Sequence, residues 1–179
     1  MAEVKKFEPF VLRWEGGSKY TNKKSDRGGA TKYGITIATW RTVGYDKNGD
    51  GKIDEKDVQL ISEEDFKKVL KRNFWDKWKA DEIKNQSVAE ILVDWLWASG
   101  KWGIIKPQQL LGVKADGIVG KQTLAAVNRY PNQRQLFEAL KNARKAYIDK
   151  VIKADPSQIV NKKGWLNRIN ALEYKEEQE

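Results

Sequence analysis

The chain has 179 residues and a net charge of +9, from 34 Lys plus Arg against 25 Asp plus Glu, with neither cysteine nor histidine. Those two absences exclude a disulfide framework, a cysteine-held zinc ion, a serine–histidine triad and any histidine base, so acid–base chemistry falls to Asp, Glu, Lys or Tyr. The length suits one domain, or one domain of two lobes, and the charge suits either a polyanionic partner or simply a lysine-rich solvated surface.

From the start of the chain, Met1 to Lys6 is followed by an apolar run too short and too interrupted for a secretory signal. No stretch approaches the roughly 20 apolar residues needed to span a membrane. Phe7, Phe10, Val11 and Trp14 recur with helical spacing and predict an amphipathic helix. Gly16-Gly17 stops it, because glycine takes the left-handed conformation of a helix C-cap. Glu15 is then expected on the last turn, beside the Trp14 indole. The negative end of the helix and the apolar neighbour both disfavour the ionised carboxylate, which suits a general acid. Downstream, Gly28, Gly29 and Gly34 read as tight turns around one or two short strands that fold Asp26 and Thr31 back over the helix end. A carboxylic acid facing a carboxylate across a cleft is an arrangement for cutting a glycosidic bond. The residue types alone also fit an ordinary helix-end glutamate followed by turn glycines.

Residues 46 to 57 have the oxygen-donor spacing of an EF-hand calcium loop. Asp46, Asn48 and Asp50 hold alternate positions, Gly51 permits the sharp turn, Lys52 offers a backbone carbonyl, Asp54 acts directly or through water, and Asp57 closes the shell. Asp57 stands where glutamate is usual, and its shorter arm reaches less readily for two contacts. Lys47, Lys52 and Lys56 are expected to point between the ligands. The expectation is a structural Ca2+ that relieves repulsion among four carboxylates; the alternative is a solvated acidic turn.

Beyond the loop the chain reads helical. Ser62 with Asp65 makes a capping-box start, followed by the stripe Phe66, Val69, Leu70 and Phe74, which Trp75 and Trp78 extend. Ser87 with Glu90 predicts the opening of a second helix through Trp97 that is apolar on nearly every side and so centrally buried. Asp94 within it must be bonded to an adjoining segment or face a cleft, and the structural role is favoured. Asp116-Gly117 predicts a turn, and Gly120 a break before a helix starting near Gln122. Of eight tryptophans, Trp14, Trp40 and Trp102 are expected to be exposed, being near turns or glycines, and the others to be packed.

The string Glu15-Gly16-Gly17, then Asp26-Arg27-Gly28-Gly29-Ala30-Thr31-Lys32-Tyr33-Gly34-Ile35-Thr36, resembles the signature of glycoside hydrolase family 108. These are bacterial and phage N-acetylmuramidases, also described as secretion-activator proteins. The Glu, Asp, Thr order is likewise similar to that of phage-type lysozymes. The resemblance implies Glu15 as catalytic acid, Asp26 as second carboxylate and Thr31 as a water-positioning hydroxyl. Ser18 stands where the family often has tyrosine, which leaves Tyr20 as the nearest aromatic. The segment Gln108 to Leu124 resembles peptidoglycan-binding helical domains through Leu111-Gly112-Val113 and Asp116-Gly117 to Thr123, and Gly164-Trp165-Leu166-Asn167-Arg168 resembles a Gly-Trp-x-x-Arg near the family's end. Trp97-Ala98-Ser99-Gly100 replaces a common Val-Asn-Ser-Gly, which puts Trp97 at the cleft floor.

What the resemblance implies is a mainly α, lysozyme-like two-lobed helical fold with a small β-hairpin region and an EF-hand-like calcium loop. Residues 1–95 would form the catalytic lobe and 96–179 a peptidoglycan-binding-like lobe. Tyr20, Tyr33, Trp97 and Trp102 would contact sugar. The expected activity is hydrolysis of the β-1,4 bond between N-acetylmuramic acid and N-acetylglucosamine in peptidoglycan. The alternative is a non-catalytic, calcium-stabilised wall-binding module that aids secretion. A monomer is expected, with neither nucleic acid nor membrane insertion, made in the bacterial cytoplasm and reaching the wall through a holin, another export route or lysis.

Overall fold

The computed structural model describes residues 1–22 and 29–176. The protein is mainly helical, with one two-stranded antiparallel sheet, and divides into two compact units. The first is Lys5–Asn73; the second is Met1–Val4 together with Phe74–Glu179. This division lies earlier than the 95/96 boundary expected from sequence, because the helix around Asp94 packs with the C-terminal helices. Among the described residues, no helix is long and apolar enough to cross a membrane.

The first unit takes most of α1 (Val4–Trp14), the hairpin β1 (Thr31–Lys32) and β2 (Ile35–Thr36), then α2 (Ile37–Val43), α3 (Glu55–Leu60) and α4 (Glu63–Leu70). The strands pair Thr31 with Thr36 and Lys32 with Ile35. Tyr33 and Gly34 therefore form a two-residue turn, with φ of 52° and 73°. Positive φ at both central positions matches the twist of a tight hairpin. Thr36 ends β2 and caps α2 at once, its hydroxyl accepting from the Thr39 N–H at 3.2 Å. Phe7, Val11, Ile35, Trp40, Val58, Phe66 and Leu70 are buried. Trp40 was expected at the surface, yet it is only 1% exposed. Its indole N–H donates to the Tyr45 carbonyl at 3.2 Å, so the ring is buried with its polar atom satisfied.

Ser62 and Asp65 form the expected capping box at the start of α4. Asp65 also receives the Lys47 ammonium at 2.6 Å and the Tyr45 hydroxyl at 3.3 Å. Burial alone raises the Asp65 carboxyl, but Lys47 and the Ser62 N–H and hydroxyl outweigh it and hold it at about 2.

The second unit is built on α5 (Gln86–Ser99), α6 (Trp102–Leu110), α7 (Lys121–Asn128), α8 (Gln133–Ala154) and α9 (Lys162–Asn170). As the apolar run implied, Val88 through Leu96 are buried apart from half-buried Glu90. Gly103 of α6 lies against the backbone of Trp95 and Leu96, too close for any Cβ. The cap of α5 is Asn85, whose side chain accepts from the Val88 N–H at 3.0 Å. Ser87, expected in that role, instead accepts the Lys175 N–H at 2.9 Å and ties the C-terminal segment to α5.

Asp94 is fully buried and joins three helices. One oxygen accepts from Arg144 of α8 at 2.7 Å, and the other from the Arg168 Nη2 of α9 at 2.7 Å. Burial pushes the Asp94 carboxyl up, but the two guanidinium groups prevail and hold it below the usual carboxylate range. Removing one partner of a buried ion pair strands the others without compensation.

Asp94→Asn is expected to lower unfolding stability by roughly 3–5 kcal/mol in urea titrations. A loss under about 1 kcal/mol would show that the triad does not tie these helices together. Asp65 and Asp94 both have folded pKa values below their unfolded ones. Their stabilisation is thus complete above the unfolded carboxylate range of about 4 and is lost as pH falls below it, for Asp65 through about 2.

Candidate active site

Glu15 follows α1 directly, its N–H still bonded to the Val11 carbonyl at 2.9 Å. It sits on the last turn, as the glycine pair implied, and Gly16 continues the chain at φ of 72°. The side chain is half-buried. The turn of the hairpin meets it: a Cβ on Gly34 would fall 2.6 Å from the Glu15 Cδ and 2.7 Å from Cγ, and closer still to Oε2. With the Glu15 side chain in this position only glycine fits, and a Cβ at residue 34 would displace the flexible end of Glu15 rather than meet backbone. Gly34 also holds the left-handed conformation, so two independent constraints select glycine there. From sequence it reads as turn punctuation alone; the contact with Glu15 joins two segments that sequence separation hides.

Thr31 lies on the same hairpin, its hydroxyl donating to the Gly29 carbonyl at 3.1 Å. Its backbone pairs with Thr21 on the other side, at 2.8 and 2.9 Å. Asp26 lies outside the described residues. Trp14, next to Glu15, is half-buried, stands 6.3 Å from the Phe10 ring and has the Arg13 guanidinium 6.0 Å from its centroid. Its indole N–H is buried without a hydrogen-bond partner among the described residues.

The expected sugar contacts fall on both units. Tyr20 is half-buried in the first. Tyr33 stacks on Phe66 at 6.0 Å with Lys32 5.8 Å from its centroid, so its ring is partly committed to packing. In the second unit, half-buried Trp97 lies 4.5 Å from the Phe74 ring. Trp102 is 48% exposed, as expected, and flanked by Tyr147 at 6.5 Å and Lys106 at 5.3 Å.

The 46–57 loop is held by its own side chains. Asp46 accepts from the Gly49 and Gly51 N–H groups, both at 2.7 Å, and Asn48 from the Asp50 N–H at 2.9 Å. Asp50 accepts the Lys52 N–H at 3.1 Å, and Asp54 caps α3 through the Lys56 N–H at 2.8 Å. Asp57 is buried and accepts from Lys47 and Asp54 N–H groups at 2.7 and 2.8 Å. The Asp54 N–H foremost holds its carboxyl below the usual range. Two lysines depart from expectation: Lys47 reaches Asp65, and Lys56 approaches the Asp50 carboxylate at 3.6 Å. No three acidic side chains among the described residues form a ready-made cation site.

The contact between residues 15 and 34 can be isolated by a double-mutant cycle. Gly34→Ala should destabilise the wild-type protein by about 0.5 kcal/mol or more beyond what it costs Glu15→Ala, since the backbone strain is common to both backgrounds and displacement of the Glu15 carboxyl is not. Equal costs in the two backgrounds would remove the contact from the account.

Residues 9–100, just over half of the chain, match the model of the family described as glycosyl hydrolase 108, and residues 102–170 match the predicted peptidoglycan domain. No curated protein matches the chain. Among solved structures it is similar to SagA of Brucella abortus, with a TM-score of 0.79 and 28% identity over 94% of this chain and 90% of that one. Glu15, Thr31 and Gly34 all fall within the first match, and the chain belongs to glycosyl hydrolase family 108.

Proposed function

We propose that this glycoside hydrolase is an N-acetylmuramidase of lysozyme type, with Glu15 as its general acid. The observation that carries the reading is the seating of the Glu15 carboxyl between the end of α1 and Gly34, inside the family-matched segment. A half-buried carboxyl packed against the turn has fewer positions open to it, which favours delivery of its proton to the glycosidic oxygen. The peptidoglycan domain match supports peptidoglycan as the polymer that is cut, and the bond proposed is the β-1,4 bond following N-acetylmuramic acid. Asp26 is proposed as the second carboxylate and Thr31 as a hydroxyl that orients water. Tyr20, Tyr33, Trp97 and Trp102 are proposed as sugar contacts, and half-exposed Trp102 has the most accessible ring of the four. The match to a hydrolase family favours this reading over a wall-binding module without activity.

Digestion of purified peptidoglycan followed by mass analysis tests the assigned bond. The expected fragments carry N-acetylmuramic acid at the new reducing end. Fragments ending in N-acetylglucosamine, or peptides released from intact glycan, would contradict it.

Calcium is proposed as a structural ligand of the 46–57 loop. The donor types suit a hard cation: Asp46, Asn48, Asp50, Asp54 and Asp57 supply oxygens between residue 46 and the first turn of α3, with the Lys52 carbonyl among them. The Asp46 oxygens each accept one N–H and keep a second lone pair, whereas the Asp57 Oδ1 accepts from Lys47 at 2.7 Å and from Asn48 at 3.3 Å, so the longer of these bonds must yield and the side chains must converge for the shell to close. Saturating calcium is expected to raise Tm by about 5–10 °C over chelator, and Asp46→Ala to remove the rise. Identical Tm values in calcium and chelator would rule the site out.

A further inference from the structure

The second unit holds a cavity of about 240 Å³ that the hydrolytic site does not use, formed between the turn after α6 and the start of α7. It is set up by Gln108, which is fully buried. The Gln108 carbonyl accepts the Gly117 N–H at 2.9 Å, and its amide donates to the Ile118 carbonyl at 2.9 Å and the Thr123 hydroxyl at 3.2 Å. The walls therefore keep their shape without a ligand.

Its lining combines two chemistries. Val113 and Ile118 are apolar, and Ile118 is 70% exposed. Lys114 and Lys121 supply positive charge. The lining acid, Asp116, is engaged locally: one oxygen accepts the Ile118 N–H at 2.9 Å and the other pairs with Lys114 at 3.4 Å. Lys121 has no acidic partner among the described residues. No aromatic ring lines the cavity to stack on a sugar face, and exposed Lys121 offers an ammonium to an anionic group at its rim. The volume is below the roughly 300–1,000 Å³ of drug-sized sites, which suits one or two small residues.

We propose that this cavity binds the carboxyl-terminal end of a wall stem peptide, with its carboxylate on Lys121 and Lys114 and small aliphatic side chains against Val113 and Ile118. The inference rests on peptidoglycan being the substrate polymer, and it gives the second unit a specific target: peptide rather than glycan.

The test titrates the full chain with diacetyl-Lys-D-Ala-D-Ala and with its C-terminal amide, reading backbone amide shifts of 113–123 by NMR. The acid is expected to bind about tenfold or more tightly than the amide, the size of a charge-assisted hydrogen bond. Gly120 allows a plug without strain, because its φ of −102° suits any residue and a Cβ there meets nothing within 4 Å. Gly120→Leu and Lys121→Gln should each reduce acid binding to the level of the amide. Equal binding of acid and amide, no response at 113–123, insensitivity to Gly120→Leu, or equally tight binding of inorganic phosphate would each overturn the proposal. The titration requires no turnover, so its failure is separate from a failure of Glu15 as the acid.

Discussion

The carboxyl group of Glu15 occupies the space that a side chain at residue 34 would need, and this contact is where the end of α1 meets the hairpin turn. For the Glu15 carboxyl to keep this position residue 34 must be glycine, and its φ of 73° favours glycine independently. For the turn to be two residues long, Tyr33 must also accept a left-handed conformation, which costs a non-glycine residue of order 1 kcal/mol or more. The strain is held by pairing on both sides of β1 and by the stacking of Tyr33 on Phe66. A short, doubly paired hairpin is thereby pinned to a helix end, and it carries the Thr31 hydroxyl with it.

Each unit has its own buried polar anchor. In the first, Lys47 and Tyr45 converge on Asp65, which links the 46–57 loop to α4. In the second, Asp94 joins α5 to α8 and α9 through two arginines. Such groups are costly to bury and are repaid only by near-complete hydrogen bonding, which both anchors show. They add directionality that the apolar cores lack: the Asp94 carboxylate has one arrangement in which three helices satisfy it, whereas leucines accept many.

Local signals in the sequence were followed closely by the fold. The Phe7 to Trp14 spacing gave α1, the glycine pair its end, Ser62 with Asp65 the capping box, and the run around Asp94 a buried helix. Long-range partners were not readable. Nothing in the vicinity of Asp94 points to Arg144 or Arg168, which lie 50 and 74 residues away. Trp40 looked exposed beside its turn, but that turn itself folds the Tyr45 carbonyl, five residues on, back onto the indole N–H. Ser87 had the right residue type for a cap, but Asn85 reached the free N–H groups first and left its hydroxyl for the C-terminal segment. The position of Glu15 was evident from its helix and glycines; the role of Gly34 in seating it was not.

The central claim is that the Glu15 proton drives glycosidic cleavage. Turnover of purified peptidoglycan by wild type and by Glu15→Gln, each shown to be folded by its unfolding curve, tests it most directly. A drop of about 10²–10⁴-fold at near wild-type stability is the outcome this account predicts. Substantial cleavage by a folded Glu15→Gln protein would contradict it and transfer the acid role to another residue.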